Sequence, residues 1–263
     1  MPESDKATDD SGRRPISSPA ASEAVEGVLV VDKPLGMSSF GVVARVRRRA
    51  GGVRTGHAGT LDPLATGILV LALGRATKAI DRLMGTSKRY RTIVDLSAFT
   101  TTDDREGERT EVVTAEPPSE HHVDDVVARF IGQIEQRPPA FSAMKVGGRR
   151  AYALARDGKP PELAARPVTI HSIGIVRYSW PELELDLHCG KGTYVRSLAR
   201  DIGLALGTGG HCATLRRTAV GPFDETMAIA LDALPDRIDS QTLIPTARAL
   251  QLVDEDRIEP HRR

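Results

Sequence analysis

The sequence predicts a mixed α+β fold, and three observations support this prediction. Short apolar runs typical of buried strands are interspersed with helical patterns, without the strict strand–helix–strand rhythm of a doubly wound parallel sheet. No internal repeat of solenoid length is evident. The chain has 263 residues, 40% of them hydrophobic and 27% charged, which suits one large globular domain.

The individual elements are predicted in chain order, beginning at Gly27. Val28–Val31 is expected to form a buried strand, followed by a turn and by a helix that Ser38 or Ser39 caps. Further strands are expected at Ile68–Leu73, Tyr90–Leu96, Val168–Ile175 and Leu183–Leu187. Further helices are expected at Thr77–Met84, Val123–Ile131, Ala151–Arg156 and Thr193–Leu206. Gly207 fits the C-terminal cap of the last helix.

Both ends of the chain are expected to lie outside this domain, which would span residues 27–245. Residues 1–26 are rich in Ser, Ala, Pro and charged residues, so they predict a disordered tail. Residues 246–263 predict a short polar tail. The first segment lacks the apolar core of a secretory signal, and no apolar run approaches the ~20 residues that span a bilayer. The expected compartment is therefore the cytoplasm.

The sequence predicts no metal or cofactor. Its two cysteines, Cys189 and Cys212, are expected to be buried, reduced thiols. Each follows a histidine directly, and adjacent ligands do not match the C-x₂₋₄-C spacing of structural zinc. The chain also lacks a phosphate-binding G-x-x-x-x-G-K-[ST] motif and a Rossmann fingerprint.

Residues 54–67 form a polar loop that several glycines interrupt and that has the period of neither a helix nor a strand. Long irregular loops between buried elements usually carry function. Asp62 precedes Pro63, which favours extended backbone and can present the carboxylate outward. On these residues alone, an Asp-Pro turn beside His57 is the simpler interpretation.

The run Gly56–Gly67, Gly-His-Ala-Gly-Thr-Leu-Asp-Pro-Leu-Ala-Thr-Gly, closely resembles the catalytic signature of TruB-type pseudouridine synthases. Four further motifs follow the order found in that family. They are Val31–Pro34 with Gly36–Ser39, Lys88–Arg91, Gly192–Leu198 and Leu215–Thr218. The resemblance covers roughly residues 27–235 and implies the pseudouridine synthase fold, a mixed, mostly antiparallel sheet flanked by helices around a central cleft.

The resemblance implies that Asp62, Arg196 and Tyr90 form the catalytic group. Asp62 would be the essential carboxylate, and Arg196 would keep it ionised, since a planar guanidinium suits a bidentate grip on a carboxylate. The carboxylate would attack the sugar at C1′, attack the base at C6, or abstract a sugar proton. These three routes remain open. Lys33 and Pro34 are expected to brace the catalytic loop.

The resemblance also assigns the substrate-binding residues. The target base is stacked inside a folded RNA and has to be extruded before it reacts. His57 would occupy the vacated space, and Tyr90 would stack on the extruded base. Tyr194 would lie beside the reacting atoms, and Leu215 would line the pocket, although an ordinary core leucine explains Leu215 nearly as well.

Charge along the chain suits such a polyanionic partner. Residues 1–26 carry six acidic and three basic residues, so the rest of the chain has a net charge of +4. Basic side chains outside the pocket are candidates for phosphate contacts, and about half of them are expected to be merely solvated. The candidates are Arg45, Arg47, Arg48, Arg49, Arg54, Lys145, Arg149, Arg150, Arg216 and Arg217.

The predicted function is isomerisation of uridine to pseudouridine at position 55 of tRNA, in the T-loop, by a monomer without an obligatory protein partner. A guide-RNA-dependent enzyme of the dyskerin type is the alternative within the superfamily. The 18 residues after Pro245 are too few for the RNA-binding module on which that type depends. A non-catalytic RNA-binding or RNA-folding protein is the alternative from another class. The intact Asp62, Tyr90, Tyr194 and Arg196 speak against it.

Overall fold

A computed structural model describes residues 25–142, 144–159 and 161–258, which form fourteen strands and six α-helices. The strands are β1 Gly27–Lys33, β2 Thr55–His57, β3 Ala65–Leu73, β4 Lys88–Asp95, β5 Ala98–Thr100, β6 Arg109–Glu111, β7 Gly132–Gln136, β8 Lys145–Val146, β9 Arg149–Arg150, β10 Arg166–Ser179, β11 Glu182–Cys189, β12 His211–Val220, β13 Phe223–Asp224 and β14 Ile229–Ala230. The helices are α1 Ser39–Arg49, α2 Ile80–Met84, α3 Glu120–Ala128, α4 Ala151–Arg156, α5 Val195–Leu206 and α6 Thr246–Ile258.

One mixed sheet of ten strands dominates the described residues. Its order is β14-β1-β3-β12-β4-β11-β10-β7, with β2 added to β3 and β13 added to β12. The pairs β1·β14 and β3·β12 are parallel, and the other pairs of this sheet are antiparallel. The predicted α+β class with a mixed, mostly antiparallel sheet is therefore confirmed.

Helices cover both faces of the sheet around β1 and β3. Side chains alternate across a strand, so Val28 and Val30 pack towards α6, whereas Leu29 and Val31 pack towards α1. The neighbouring strand β3 divides its apolar residues in the same way. Burial on both faces explains why these two strands are continuously apolar in the sequence.

Helix α5 packs over the other half of the sheet and begins beside the site. Its buried residues Val195, Leu198, Ile202 and Leu206 contribute to a core shared with α3, β4 and β11. Gly207 adopts the left-handed conformation with φ of 69°, which confirms the predicted C-terminal cap. Helix α5 also contacts the central strands β12 and β4.

A close approach between β3 and β12 sets the position of the loop that connects β2 to β3. Gly67 has φ of 97°, and a Cβ atom there would lie 2.2 Å from the carbonyl oxygen of Arg217. Only glycine fits this contact without moving the backbone. The parallel pairing of Gly67 with Arg217 therefore places β12 directly behind the loop that enters β3.

Several segments differ from their predictions. Helix α3 starts at Glu120, with Ser119 as its N-cap, and ends at Ala128 rather than at Ile131. Strand β12 was not predicted, because its two adjacent arginines hide the apolar alternation of a central strand. The predicted loop at residues 54–67 contains β2 and the start of β3.

The expected polar segment after Pro245 forms helix α6 instead of a tail as far as residue 258. Ala249, Leu252 and Val253 are buried, and their spacing is that of one helical face. The disordered tail was expected at residues 1–26, of which residues 1–24 lie outside the described residues. Val25 packs against the core beside β1, and Glu26 forms an ion pair with Arg75.

Candidate active site

Residues 58–64 connect β2 to β3 and form the catalytic loop, which Ser39 holds from behind. The Ser39 hydroxyl donates to the carbonyl of Leu61 at 2.9 Å and accepts from its amide at 2.8 Å. The amide of Gly36 donates to the carbonyl of Pro63 at 2.8 Å. The loop residue between these two anchors is Asp62, so its backbone is fixed on both sides.

Lys33 lies under the same loop and is fully buried. Its Nζ donates to the carbonyl oxygens of Pro34 at 2.9 Å, Met37 at 2.7 Å and Pro63 at 3.4 Å. Burial lowers the pKa of Lys33 to about 8, and the negative charge of Asp62 opposes that shift. Lys33 and Pro34 thus lie at the positions from which the sequence expects them to brace the loop.

Arg217 supports the loop from β12 and is not the surface residue that the sequence analysis expected. Its side chain is 1% exposed and donates to the carbonyls of Ile68 at 2.7 Å, Gly59 at 3.1 Å and Thr60 at 3.4 Å. Its positive charge also opposes the rise that burial produces in the pKa of Tyr90. Arg217 is buried on a central strand and lines the pocket itself. The prediction that it contacts an RNA phosphate outside the pocket is therefore wrong.

Asp62 and Arg196 meet at the centre of the site. The Oδ2 atom of Asp62 lies 2.9 Å from the Nη2 atom of Arg196. Asp62 keeps 37% of its side chain exposed, whereas Arg196 keeps 5%. The cation is therefore embedded in the protein, and the acid faces open space.

The start of α5 presents Arg196 in a way that differs in detail from the expectation. Tyr194, not Thr193, occupies the N-cap position, with extended backbone. The side-chain amide of Gln136 accepts from the Tyr194 amide at 2.8 Å and donates to the Tyr194 carbonyl at 3.1 Å. This pair of bonds, rather than a capping threonine, fixes where the helix begins. Arg196 consequently lies in the first turn of α5, as expected.

The guanidinium of Arg196 is divided between two acids. Nη1 contacts Asp104 at 3.0 Å and the carbonyl of Thr102 at 3.0 Å, while Nη2 also donates to the carbonyl of Phe141 at 2.8 Å. In the closest contacts, the two acids therefore pair with different nitrogens of one guanidinium.

Asp104 is the residue of this site that sequence reasoning missed. It is 2% exposed and lies in a tight turn, next to Asp103 with φ of 59°. Asp103 pairs with Arg200 at 2.7 Å, and burial raises the pKa of Asp103. The sequence did contain a signal for it. Asp103 and Asp104 are adjacent, and Arg196 and Arg200 are four residues apart and so share one face of α5.

Two adjoining cavities open at the Asp62–Arg196 pair. A cavity of about 310 Å³ is lined by both of these residues together with Tyr90, Tyr194 and Leu215. The five residues that the sequence places in the pocket around the reacting base thus line one cavity. A second cavity, of about 350 Å³, is also lined by Asp62 and Arg196 and contains His57.

The aromatic and imidazole side chains are held in distinct ways. Tyr90 is 9% exposed, and burial raises the pKa of its phenol. The guanidinium of Arg166 lies over the Tyr194 ring, 5.2 Å from its centroid. Burial also lowers the pKa of His57, and its Nδ1 has no hydrogen-bond partner among the described residues. The His57 ring is therefore uncharged at neutral pH, and its Nδ1 can still form a hydrogen bond with a ligand.

Protein groups already engage some of the basic residues predicted to contact phosphate. Arg216 pairs with Asp32 at 2.8 Å and with Glu225 at 2.6 Å. Arg49 donates to the carbonyl of Leu234 at 2.7 Å. The exposed members of the predicted set are Arg47, Arg48, Arg54, Lys145, Arg149 and Arg150.

The two thiols lie in the core of the sheet. Burial raises the pKa of Cys189 to about 11 and that of Cys212 to about 12, so both are protonated at neutral pH. The His211 ring contacts the carbonyl of Ala98 at 2.9 Å.

No cluster of three or more His, Cys, Asp or Glu residues that could hold a metal occurs in the described part of the chain. Among the same residues, no helix is long and apolar enough to cross a membrane.

The mixed sheet and the arginine-paired aspartate beside two aromatic-lined cavities define a catalytic domain of the pseudouridine synthase type. A family model described as TruB family pseudouridylate synthase, N-terminal domain, matches residues 47–195. A second, described as tRNA pseudouridylate synthase B C-terminal domain, matches residues 196–251. The chain belongs to the TruB family of pseudouridylate synthases.

Individual relatives agree with this assignment. The chain is 46% identical over 232 residues to a tRNA pseudouridine synthase B of Arthrobacter sp. (strain FB24), covering 86% of this chain and 76% of the relative. It is 47% identical over 234 residues to one of Caulobacter sp. (strain K31), covering 87% and 75%.

A solved structure shares the fold. The chain superposes with a TM-score of 0.66 and 28% identity on the crystal structure of a Cbf5-Nop10-Gar1 complex. The match covers 86% of this chain and 62% of the chain in that complex. The family resemblance stated from the motifs is therefore confirmed.

Proposed function

We propose that this protein isomerises uridine to pseudouridine at position 55 of tRNA, in the T-loop. The observation that carries the proposal is the Asp62–Arg196 ion pair at the junction of two cavities, one of which is lined by Tyr90. The relatives from Arthrobacter and Caulobacter are named tRNA pseudouridine synthase B, which supports tRNA as the substrate.

The reaction requires an ionised carboxylate close to the extruded nucleotide. Arg196 lies 2.9 Å from Asp62 and places a positive charge directly beside the carboxylate. Asp62 then attacks C1′, attacks C6 or removes a sugar proton. The C1′–N1 bond breaks, the uracil turns and a C1′–C5 bond forms, while C5 loses a proton and N1 gains one. Because the open side of Asp62 faces the cavities, the substrate can reach it without moving the ion pair.

The surrounding side chains offset the cost of extruding the base. Unstacking a nucleotide costs a few kcal/mol, and stacking on an aromatic ring returns about 1–3 kcal/mol. We assign this stacking to Tyr90, which lines the same cavity as Asp62. Tyr194 and Leu215 complete that cavity, and His57 offers an unpaired ring nitrogen beside the second one.

Exposed basic residues would supply the affinity for the phosphate backbone. Each neutralised phosphate steepens the salt dependence of binding. We therefore expect tRNA affinity to fall by at least about tenfold between 50 mM and 200 mM salt. Filter binding of a tRNA transcript at several salt concentrations measures this dependence. A flat profile would contradict the assignment of a polyanionic substrate.

The proposed reaction is tested with purified protein and an unmodified tRNA transcript. Pseudouridine should form at position 55, without guide RNA, and Asp62→Asn should abolish it. Formation only after a guide RNA is added would support the dyskerin-type alternative. Binding without conversion would support a non-catalytic RNA-binding protein.

The proposal includes a monomeric enzyme that works on cytoplasmic tRNA without an obligatory protein partner. The residues proposed to react with the uridine and to stack on it, Asp62, Arg196 and Tyr90, line one cavity of a single chain, which supports this part of the proposal. Sedimentation at micromolar concentration, with and without tRNA, measures the oligomeric state. Activity that appears only in a dimer or after a second protein is added would contradict this part of the proposal.

A further inference from the structure

The two cavities of the site share a common wall. The residues that line both are Thr60, Leu61, Asp62, Ser142 and Arg196. Ser142 contributes to this wall from a segment far from the catalytic loop in sequence. Neither the family resemblance nor the motifs assign it a role.

The hydroxyl of Ser142 is an unpaired polar group at a place where such groups are costly. Ser142 is 3% exposed, and its Oγ has no hydrogen-bond partner among the described residues. The two charged groups of the wall, Asp62 and Arg196, are paired with each other. An unpaired buried hydroxyl is costly, and this one lines both cavities, so a ligand that enters either cavity can supply the missing partner.

The backbone around Ser142 is held in place. The carbonyl of the preceding residue, Phe141, accepts from Arg196 at 2.8 Å. The carbonyl of Ser142 itself accepts from the amide of Tyr152 at 3.0 Å. The backbone that carries the unpaired hydroxyl is therefore anchored, through Phe141, to the guanidinium that pairs with Asp62.

The position of the wall points to the sugar of the target nucleotide. This step rests on the proposed function, in which Tyr90 stacks on the uracil in the first cavity and Asp62 reaches the nucleotide's reacting atoms. The ribose then lies between the base and the exit towards the second cavity, against the shared wall. A serine hydroxyl donates and accepts, as does a ribose 2′-hydroxyl. We propose that Ser142 hydrogen-bonds the 2′-hydroxyl of the target uridine and so selects ribose at that position.

The chain offers a matched control in Ser197. This serine is fully buried in α5, its Oγ also lacks a partner among the described residues, and it lines neither of the two cavities. Ser142→Ala and Ser197→Ala remove the same atom from equally buried sites. Neither change removes a protein hydrogen bond, so neither should lower the melting temperature.

The test uses T-arm hairpins that carry either uridine or 2′-deoxyuridine at the target position. Binding is measured to Asp62→Asn protein, in which no turnover occurs, with and without Ser142→Ala or Ser197→Ala. Ser142→Ala should weaken binding of the uridine hairpin about tenfold and leave binding of the deoxyuridine hairpin unchanged. Ser197→Ala should change neither.

Conversion of a uridine hairpin by protein with an intact Asp62 tests the proposed function separately. If that protein converts the hairpin but Ser142→Ala weakens both hairpins equally, or neither, the 2′-hydroxyl contact is wrong and the isomerase function stands. An effect of Ser197→Ala as large as that of Ser142→Ala would also overturn the contact. If the protein converts no uridine, the proposed function itself is wrong.

Discussion

Two short segments meet at the guanidinium of Arg196 and contribute acids of opposite character. The catalytic loop contributes Asp62, which is 37% exposed and lines both cavities. The turn at residues 101–107 contributes Asp104, whose side chain is 3% exposed. The two acids lie 2.9 Å and 3.0 Å from different nitrogens of the same cation.

The difference teaches how one arginine can serve both structure and chemistry. A buried cation needs compensation on every side, and Asp104 with two backbone carbonyls provides it. The nitrogen that faces the cavities is then free to hold Asp62 without burying it. A reacting acid such as Asp62 has to be accessible to the substrate. An acid that only pairs with the arginine, such as Asp104, can be buried away from water.

The largest expected effect separates the two acids by activity. Asp62→Asn should lower the rate of pseudouridine formation by at least about 10⁴-fold, because it removes the ionised group that every proposed route requires. The free energy of unfolding should change by less than about 1 kcal/mol, since the side chain is partly exposed. Single-turnover kinetics and urea unfolding measure the two quantities. A variant with substantial activity would remove Asp62 from the chemistry.

The second acid should show the opposite balance. Asp104→Asn should lower the free energy of unfolding by about 3 kcal/mol, because it leaves the buried charge of Arg196 uncompensated. It should also lower kcat by about 10- to 100-fold with little change in KM, since the guanidinium loses its alignment with Asp62. Asp103→Asn is the control, because the carboxyl of Asp103 does not contact Arg196. Equal losses in both variants would show that the turn as a whole, and not the Arg196 contact, is required.

The two acids also differ in whether the sequence could identify them: Asp62 was predicted, and Asp104 was not. The strands at Val28–Val31 and Ile68–Leu73 and the cap at Gly207 follow local rules, so apolar runs and glycine chemistry were sufficient to predict them. Asp62 and Arg196 lie within motifs whose residues are close together along the chain. The family resemblance therefore found both of them without knowledge of the fold.

Contacts between distant segments could not be predicted in this way. Asp104 meets Arg196 across 92 positions, and Arg217 reaches Gly59 across 158. Arg217 also follows the half-buried Arg216. Alternation along a strand turns Arg217 inward, and this could be recognised only from the position of β12 between β3 and β4. From sequence alone, a charged side chain is expected to be exposed. Only the order of strands in the sheet shows that Arg217 is buried.

These adjacent arginines provide the third test, which concerns how the catalytic loop is held. Arg217→Lys should lower kcat about tenfold, because one ammonium cannot reach the three carbonyls of the loop and β3 that the guanidinium contacts. Affinity for tRNA should hardly change. Arg216→Lys is the matched control on the outer face and should keep kcat within about twofold of the unchanged protein. If both substitutions have the same effect, Arg217 does not position the loop.

The smallest expected effect concerns the buried ammonium under the loop. Lys33 has a pKa of about 8, and its three donors serve three carbonyls, so deprotonation removes one of these bonds. We expect kcat to fall a few-fold as pH rises through about 8. The Lys33→Met variant should have a lower kcat, and this kcat should not fall as pH rises through about 8. Lys88 also has a pKa of about 8. Lys88→Met is therefore the control, and its kcat should still fall with rising pH.

Stability distinguishes this effect from unfolding. The folded pKa of Lys33 lies below its usual value of 10.5, so between pH 8 and 10.5 the unfolded chain binds more protons than the folded one. The contribution of Lys33 to the free energy of unfolding therefore rises with pH in the window where kcat falls. Urea unfolding at pH 7.5 and 9 should show no loss attributable to Lys33, measured as the difference from Lys33→Met. If Lys33 stabilised the protein less at the higher pH, the activity decline would reflect a loosening of the whole fold, and the catalytic loop would not be its specific cause.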